Sequence, residues 1–216
     1  MAEQSTVAGE PTSRKEMILA AAAEIVAERG FTRTTVRDIG KSIGMLSGSL
    51  YHYFDSKEAI ADELLNRFWI KILKAYEEVV NAGDSPRETL RGLILAAHQA
   101  MADHPAEIQL LQSDWRQLAE FRNFQEIRQS STKVSQIWVE VMQKGVAGGE
   151  FRDDMDLRLA YRTMMGSIQS LYTWYDPKGP RTHQEIAEEQ ASLFIDGLST
   201  KRGGKQKSRP AAARAK

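Results

Sequence analysis

The stretch TTVRDIGKSIGMLSGSLYHYFDSKE, which runs from Thr34 to Glu58, carries the pattern that decides the fold. Within it, Val36, Ile39 and Ile43 recur at the spacing of one helical face, and this predicts a short helix with one apolar side. We expect the helix to end at Gly44, because glycine enters the left-handed conformation after a helix without a steric cost. The residues that follow predict a second helix of about two turns.

The second helix has two different faces. Leu50, Tyr53 and Phe54 form its predicted inner face. Its outer face consists of small or polar residues, which are Ser47, Gly48, Ser49, Tyr51 and His52. A helix that enters the DNA major groove, which is about 12 Å wide, needs such a slim leading edge. Two short helices joined by a glycine turn therefore predict a helix-turn-helix unit, in which the second helix reads base edges.

The whole stretch resembles the DNA-binding motif of TetR-type transcriptional repressors, T-x-x-x-I-[AG]-x-x-x-G-[VM]-x-x-G-[ST]-[LI]-Y-x-[HY]-F-x-[SD]-K-[ED]. The matching positions are Thr35, Ile39, Gly40, Gly44, Gly48, Ser49, Leu50, Tyr51, Tyr53, Phe54, Ser56, Lys57 and Glu58. Two positions depart from the motif: Leu46 stands where the family has a Ser or Thr N-cap, and Ser47 where it has a basic residue. The segment LSGSLYH at 46–52 is also similar to a subgroup of actinobacterial repressors of steroid and lipid catabolism.

The residues and the resemblance together give a set of candidate DNA contacts. The resemblance implies that Tyr51 and Lys57 contact the DNA backbone, and Lys57 stands at a helix N-terminus, whose free N–H groups suit a phosphate. A packing role for Tyr51 and a solvated surface position for His52 are the alternatives. The full set is Thr34, Thr35, Arg37, Ser47, Gly48, Ser49, Tyr51, His52 and Lys57.

Every predicted element is helical, so the expected fold class is all-α, with a three-helix helix-turn-helix domain followed by a helical effector-binding and dimerisation domain. We expect a disordered arm at 1–13, the DNA-binding domain at 14–60, the second domain at 61–200 and a basic disordered tail at 201–216. The tail has seven Lys and Arg residues and no acidic residue. It has two interpretations: non-specific attraction to DNA through counterion release, or a solubilising tail.

The first and fourth helices frame the DNA-binding domain. The first is expected to begin with a capping box of Ser13 and Glu16. The fourth is expected to begin at Ser56 and to continue to about Val80, so that one helix joins the two domains. A shift at the far end of this helix would then move the recognition helix at its near end.

The two C-terminal helices carry the predicted dimer interface. One runs from about Asp156 to Tyr175, and Thr182 caps the next. The small residues Gly166, Ser167 and Ser170 permit close approach of a second copy. The resemblance implies that two copies of these helices pack as a four-helix bundle. Such a homodimer would place two recognition helices about 34–36 Å apart, as a palindromic operator requires.

Aromatic and methionine side chains of the second domain predict an effector pocket, because such side chains line adaptable apolar cavities. The candidates are Phe68, Met101, Trp115, Trp138, Met142, Met165, Ile168 and Tyr172, each of which has an ordinary core position as its alternative. The resemblance implies that a small apolar effector binds there and releases DNA, and an acyl-CoA or another lipid-catabolism intermediate is one hypothesis. The phosphates of a thioester would need cations, for which Arg87, Arg91, Arg116, Arg122, Arg128 and Lys133 are candidates.

The composition limits the function classes. The chain has no cysteine and its N-terminus is polar, which favours a cytoplasmic, nucleoid-associated protein without a membrane span or signal peptide. The four histidines are spread along the chain, and no hydrolase, phosphate-loop or zinc-protease motif is present. We therefore expect neither an enzyme nor a cofactor or metal. A ligand-independent architectural DNA-binding protein and an activator of the same fold are the alternatives.

Overall fold

The computed structural model describes residues 13–113, 124–176 and 178–200. These residues form the helices α1 (Arg14–Arg29), α2 (Val36–Ser42), α3 (Ser47–Leu50), α4 (Lys57–Asn81), α5 (Pro86–Asp103), α6 (Pro105–Ser113), α7 (Phe124–Ala147), α8 (Leu157–Trp174) and α9 (His183–Leu198). The predicted all-α class is confirmed. The predicted basic tail, and the predicted arm apart from Ser13, lie outside the described residues.

Side-chain caps fix where several helices begin. The hydroxyl of Ser13 accepts a hydrogen bond from the N–H of Glu16 at 3.2 Å, and Thr35 and Thr182 each form a complete capping box. The N-caps predicted at Ser13 and Thr182 are confirmed. The reciprocal half of the box predicted at Ser13 is wrong, because the Glu16 carboxylate accepts hydrogen bonds from Arg67 of α4 instead.

The first three helices and the start of α4 pack around one apolar cluster. Its buried members are Ile18, Leu19, Ala21, Ala22, Ile25, Ile39, Leu50, Phe54, Ile60 and Leu64. α1 lies behind α2 and α3 and supports them, as predicted. This cluster is the core of the N-terminal domain.

α4 contributes to three apolar clusters in succession. Ile60 and Leu64 lie in the N-terminal core. Ala61 and Leu65 lie in a second cluster, whose other buried members are Val26, Phe31, Ala106, Leu110 and Ile127 of α1, α6, α7 and the segment after α1. Phe68, Ile72 and Tyr76 lie in the large core of the second domain. One helix therefore runs from the first domain into the second, and the boundary predicted at residue 60 falls within it.

The second domain closes where the α7–α8 connection meets the end of α9. Phe151 and Ser199 form an isolated antiparallel bridge, and the N–H of Arg152 bonds the carbonyl of Leu198 at 2.8 Å. The buried ring of Phe151 lies directly on Gly145, at a place that any larger residue's Cβ would occupy. This contact fixes the far end of the domain.

Candidate DNA interface and effector domain

The recognition helix α3 is shorter than the sequence predicts. After its single turn the chain leaves through a bend, in which the N–H groups of Tyr53 and Phe54 bond the carbonyl of Leu50 at 2.9 and 3.1 Å. Leu50 and Phe54 are buried as predicted. Tyr53 is 44% exposed. Its predicted place on the inner face is wrong, because α3 ends at Leu50 and residues 51–53 continue as a turn.

α2 and α3 approach each other closely at Gly40. The carbonyl of Gly40 accepts a hydrogen bond from the N–H of Met45 at 2.8 Å. A Cβ at residue 40 would lie 2.8 Å from the Met45 carbonyl oxygen, so a larger side chain would force the two helices apart. Gly44 has a φ of 67°, which is the left-handed conformation predicted for the end of α2.

The predicted outer face of α3 is open to solvent. Gly48, Tyr51 and His52 are exposed, and Ser47 and Ser49 are half-buried. No atom lies within 4 Å of the place where a Cβ on Gly48 would stand. The face therefore presents small groups and hydroxyls that a groove could accommodate.

The three candidates near the start of α2 have different environments. Thr34 is buried, and its hydroxyl donates a hydrogen bond to the carbonyl of Gly30 at 2.8 Å. Thr35 is exposed but shares its hydroxyl with the carboxylate of Asp38 in the capping box. Arg37 is exposed. Of these three, Arg37 has the side chain that extends into solvent.

Lys57 lies at the N-terminus of α4 and faces the turn after α1. Its Nζ donates a hydrogen bond to the carbonyl of Phe31 at 3.0 Å and lies 4.2 Å from the centre of the Phe31 ring. These contacts leave N–H groups of the ammonium available, since Lys has three donors. They hold the charge against the N-terminal domain.

Leu46 occupies the N-cap position of α3. It forms no side-chain cap hydrogen bond, and it is 81% exposed. The sequence pattern had marked this position as a departure from the family motif without predicting that the side chain would be so open.

An ionic network that the sequence analysis missed ties α1 to α4. The guanidinium of Arg67 donates to the Glu16 carboxylate at 2.6 and 2.9 Å and to Glu63 at 2.8 Å, and Lys15 lies 3.5 Å from Glu63. The hydrogen bond from Arg67 lowers the pKa of the Glu16 carboxyl. The i, i+4 spacing of Glu63 and Arg67 was the available signal, but nothing local connects Arg67 with α1.

α6 touches both domains. Its residues Ala106 and Leu110 pack with Val26 and Phe31 in the cluster shared by α1 and α4. On its other side, the Gln112 side-chain amide donates to the backbone carbonyl of Gln169 in α8 at 3.1 Å. α6 therefore contacts both α1, which supports the recognition unit, and α8.

Most of the predicted pocket residues lie inside the packed second domain. Phe68, Trp138, Met142 and Ile168 are buried in its core, and Met101 and Met165 are half-buried against it. Tyr172 is 38% exposed, and Trp115 lies outside the described residues. Six of these side chains thus lie in or against the core. This agrees with their alternative interpretation, which was an ordinary core position.

Two indoles of this domain, those of Trp69 and Trp138, have a buried Nε1–H without a hydrogen-bond partner among the described residues. Trp69 of α4 packs against both the large core and the cluster shared with α1 and α6. Its Nε1–H is buried and has no hydrogen-bond partner among the described residues. A buried donor without a partner costs free energy, so such a group is a candidate contact for a bound molecule.

The basic residues of the second domain differ in what they contact. Arg87 pairs with Asp196 at 2.9 Å and Arg91 with Glu188 at 2.5 Å. Arg116 and Arg122 lie outside the described residues, and Lys133 lines a cavity on the surface of α7 with Arg128.

Two further arginines of α8 line a polar groove of about 450 Å³ between α7 and α8. They are Arg158 and Arg162, and neither forms an ion pair within the part of the chain that the structure describes. Ser135, Gln136 and Glu140 also line the groove. In the sequence, the i, i+4 spacing of Arg158 and Arg162 on one helix was the signal for this pair.

An apolar groove lies between α8 and α9. Its volume is about 430 Å³, and its lining is Asp154, Met155, Asp156, Leu159, Ala160, Thr163, Met164, Leu193, Phe194, Gly197 and Leu198. Leu159 and Leu193 are 63% and 70% exposed. Gly166 stands on the exposed side of α8, with open space around it.

Behind α9 lies a buried histidine of α5. Nε2 of His98 lies 3.1 Å from Oε1 of Gln190, and the His98 and His183 rings meet edge to face with centroids 5.3 Å apart. Burial and the neighbouring His183 lower the pKa of His98 to about 4. Burial also lowers the pKa of His183, although Asp103 acts in the opposite direction.

Two features of the described residues bear on other classes of site. Among residues 13–113, 124–176 and 178–200, no three His, Cys, Asp or Glu side chains are grouped so that they could hold a metal ion. None of the helices described above combines the length and the apolar character that crossing a membrane requires.

A short exposed helix behind a glycine turn, supported by two other helices, defines a helix-turn-helix DNA-binding protein, here with a helical second domain. Comparison with family models agrees with this class. Residues 18–64 match the model of bacterial regulatory proteins of the tetR family, and residues 83–198 match that of the tetracyclin repressor-like C-terminal domain. The chain belongs to the TetR family of transcriptional regulators, and the resemblance seen in the sequence is confirmed.

Similar proteins extend the match over the whole described fold. The transcriptional repressor KstR2 of Mycobacterium tuberculosis is 38% identical over 91% of this chain and 98% of its own length. The fatty acid metabolism regulator protein of Bacillus subtilis is 27% identical over 85% of this chain and 95% of its own. The solved structure of the ketosteroid transcriptional regulator KstR2 of M. tuberculosis matches with a TM-score of 0.82, at 36% identity, over 90% of this chain and 99% of that one.

Proposed function

We propose that this chain represses transcription by binding a palindromic operator as a homodimer, and that a small apolar effector releases it. The observation that carries the proposal is the course of α4, which contributes to the core of the DNA-binding domain, to the cluster shared with α6 and to the core of the second domain. A rigid helix that belongs to all three clusters passes a change in one domain to the other.

The proposed operator contacts come from α3 and its surroundings. The bases meet Ser47, Gly48, Ser49 and His52, and the phosphates meet Thr35, Arg37, Tyr51 and Lys57. Thr34 acts indirectly, because its buried hydroxyl holds the carbonyl of Gly30 at 2.8 Å. Phosphate contacts fix the register of the protein on the duplex, and base contacts supply the sequence preference.

The proposed dimer forms through α8 and α9. Supporting observations are the apolar groove between these helices, the exposed leucines on its rims and the open space at Gly166. Two copies would cover this groove, which is the usual reason for an exposed apolar patch of this kind. One recognition helix alone reads too few base pairs, so specific binding depends on the pair.

The proposed effector is an apolar acid or its acyl-CoA thioester, derived from lipid or steroid breakdown. The names of the relatives, a ketosteroid regulator and a fatty acid metabolism regulator, support this class. Within the chain, the free Nε1–H of Trp69 suits a carbonyl oxygen, and Arg158 and Arg162 supply cations for phosphates.

The proposed release follows the contacts of α6. An effector that separates α8 from α6 would disturb the bond from Gln112 to the Gln169 carbonyl. Because α6 also packs on α1, the change would reach the recognition unit. Coupling of about 1–3 kcal/mol would lower operator affinity about 5–150-fold.

Fluorescence anisotropy tests the proposal with labelled DNA from the flanks of the protein's own gene, at near-physiological salt. A repressor should prefer one palindrome over random DNA by about 10³–10⁷-fold, and one class of acyl-CoA or free lipid should weaken that binding. Weak, salt-sensitive binding without sequence preference, both here and in a genome-wide selection, would contradict the proposal and favour the architectural alternative. Specific binding that no lipid changes would remove the effector class alone.

A further inference from the structure

We propose that Leu46 recognises the 5-methyl group of a thymine in each half of the operator, and this rests on the operator binding proposed above. Among the described residues Leu46 is the most exposed large apolar side chain, at 81%. It stands at the N-cap of α3, and the N-terminal residues of a recognition helix are those that contact base edges.

Local folding does not account for a leucine at this position. N-cap positions favour Ser, Thr, Asp or Asn, whose oxygen accepts a hydrogen bond from a free N–H of the first turn. Leu46 makes no such bond, so the helix begins with its first N–H groups uncapped by a side chain. The neighbouring Met45 supplies the apolar contact with the N-terminal core. Leu46 therefore costs stability without adding to the packing.

The surroundings of Leu46 favour a base edge as its partner. The three residues that follow are Ser47, Gly48 and Ser49, and no atom lies within 4 Å of a Cβ built on Gly48. These three residues are too small to keep α3 out of a groove. An apolar protein partner would need a contiguous apolar patch with an anchor at its centre, and these three neighbours do not provide one.

The chemistry of the major groove specifies which base. The thymine methyl is the one apolar group that the four base pairs display there, and apolar side chains contact it. Cytosine lacks that methyl and presents an amino group, which Leu46 cannot accept from. Leu46 would therefore select T·A over C·G at one base pair of each half-site.

The experiment replaces single thymines of the operator by deoxyuridine, which removes only the methyl group. We expect one position in each half-site to lose about fourfold in affinity, and the symmetric double replacement about fifteenfold, from the transfer free energy of a buried methyl group. The variants Leu46→Ala and Leu46→Ser should bind the two forms equally. Ile70→Ala, which changes an exposed apolar residue of α4, should retain the full difference.

The outcomes separate the two levels of inference. If the wild-type protein prefers no operator over random DNA, both the repressor and the role of Leu46 are overturned. If it binds a specific operator but deoxyuridine changes nothing at any position, or Leu46→Ala keeps the wild-type pattern, the role of Leu46 alone is overturned. Because the side chain is exposed and outside the core, its replacement leaves the fold intact, which thermal unfolding of each variant checks.

Discussion

Two exposed faces of this molecule carry leucines, and their surroundings differ. On the recognition face Leu46 stands alone among small hydroxyl and glycine residues. On the α8–α9 face Leu159 and Leu193 stand on the two sides of one continuous apolar groove. An isolated apolar side chain suits a polar, hydrated partner that displays one methyl group, whereas a continuous apolar surface suits a second copy of itself. We therefore expect the same residue type to have two uses, decided by its neighbours.

The largest expected effect comes from a charge on the α8–α9 face. Leu193→Glu places two carboxylates in the proposed dimer contact, where they would be desolvated without partners. We expect monomers in light scattering and at least about a hundredfold loss of operator affinity in anisotropy, because specific binding by a dimer exceeds non-specific binding by about 10³–10⁷. Ile70→Glu is the matched control and should remain dimeric. A dimeric Leu193→Glu protein that binds normally would assign this face another role.

A fall in pH should lower the free energy of unfolding through His98, which lies behind α9. The pKa of His98 is about 4 in the folded protein and 6.5 in the unfolded chain. As the pH falls, the unfolded chain therefore binds a proton at this histidine before the folded protein does. Its contribution is therefore complete above pH 6.5 and is lost as the pH falls towards 4, by about 2 kcal/mol at pH 5. Urea unfolding of the wild type and His98→Gln at pH 7.5 and pH 5 isolates this contribution.

His98→Gln should show a smaller loss of stability between the two pH values than the wild type. His183 acts in the same direction, because burial lowers its pKa too. An equal loss in both proteins would locate the acid sensitivity elsewhere.

A pair of open glycines sharpens the contrast between the faces. Apart from the adjoining residues and the helix's own backbone, no atom of the described residues lies within 4 Å of a Cβ added to Gly48 or Gly166, so Gly48→Val and Gly166→Val should both fold. We expect Gly48→Val to remain dimeric and to lose operator affinity about tenfold, because overpacking of a close contact costs about 1–3 kcal/mol. Gly166→Val should instead raise the dimer dissociation constant. Loss of the same property in both variants would refute the division between the faces.

The smallest expected effect is a gain in stability at the recognition face. Leu46→Ser restores an oxygen to the N-cap of α3, and we expect the free energy of unfolding to rise by about 0.5–1 kcal/mol. Thermal unfolding against Leu46→Ala, which supplies no cap, measures the difference. No gain over Leu46→Ala would mean that the cap of so short a helix is unimportant.

Local patterns in the sequence predicted the local structure well. The capping box at Thr182 follows from residues three positions apart, and it is confirmed. Tyr53 was placed wrongly because helical spacing assumes that the helix continues, whereas the chain bends after Leu50. The carboxylate of Glu16 was assigned to a capping box, because the local pattern offers no other partner. Its actual partner, Arg67, lies 51 residues away, and this contact depends on the packing of two helices.

The predicted effector pocket was less accessible to sequence reasoning for the same physical reason. A methionine or tryptophan is apolar and adaptable wherever it stands, and only tertiary packing decides whether it fills a core or lines a cavity. Trp138 and Trp69 have the same side chain, yet the former is buried at the centre of the domain and the latter lies between two clusters. Their positions could not be told apart without the fold.

The length of α4 also sets how far Ser199 lies from the recognition unit. The helix has 25 residues, and a helix of that length is about 37 Å long. Its near end carries the recognition unit, and beyond its far end Arg87 of α5 bonds Ser199, the residue that follows α9. The C-terminal side of the described chain therefore begins about one helix length away from the operator. A dye or surface tether attached there would leave the recognition helix unobstructed, which makes that end the natural anchor for single-molecule measurements of operator search.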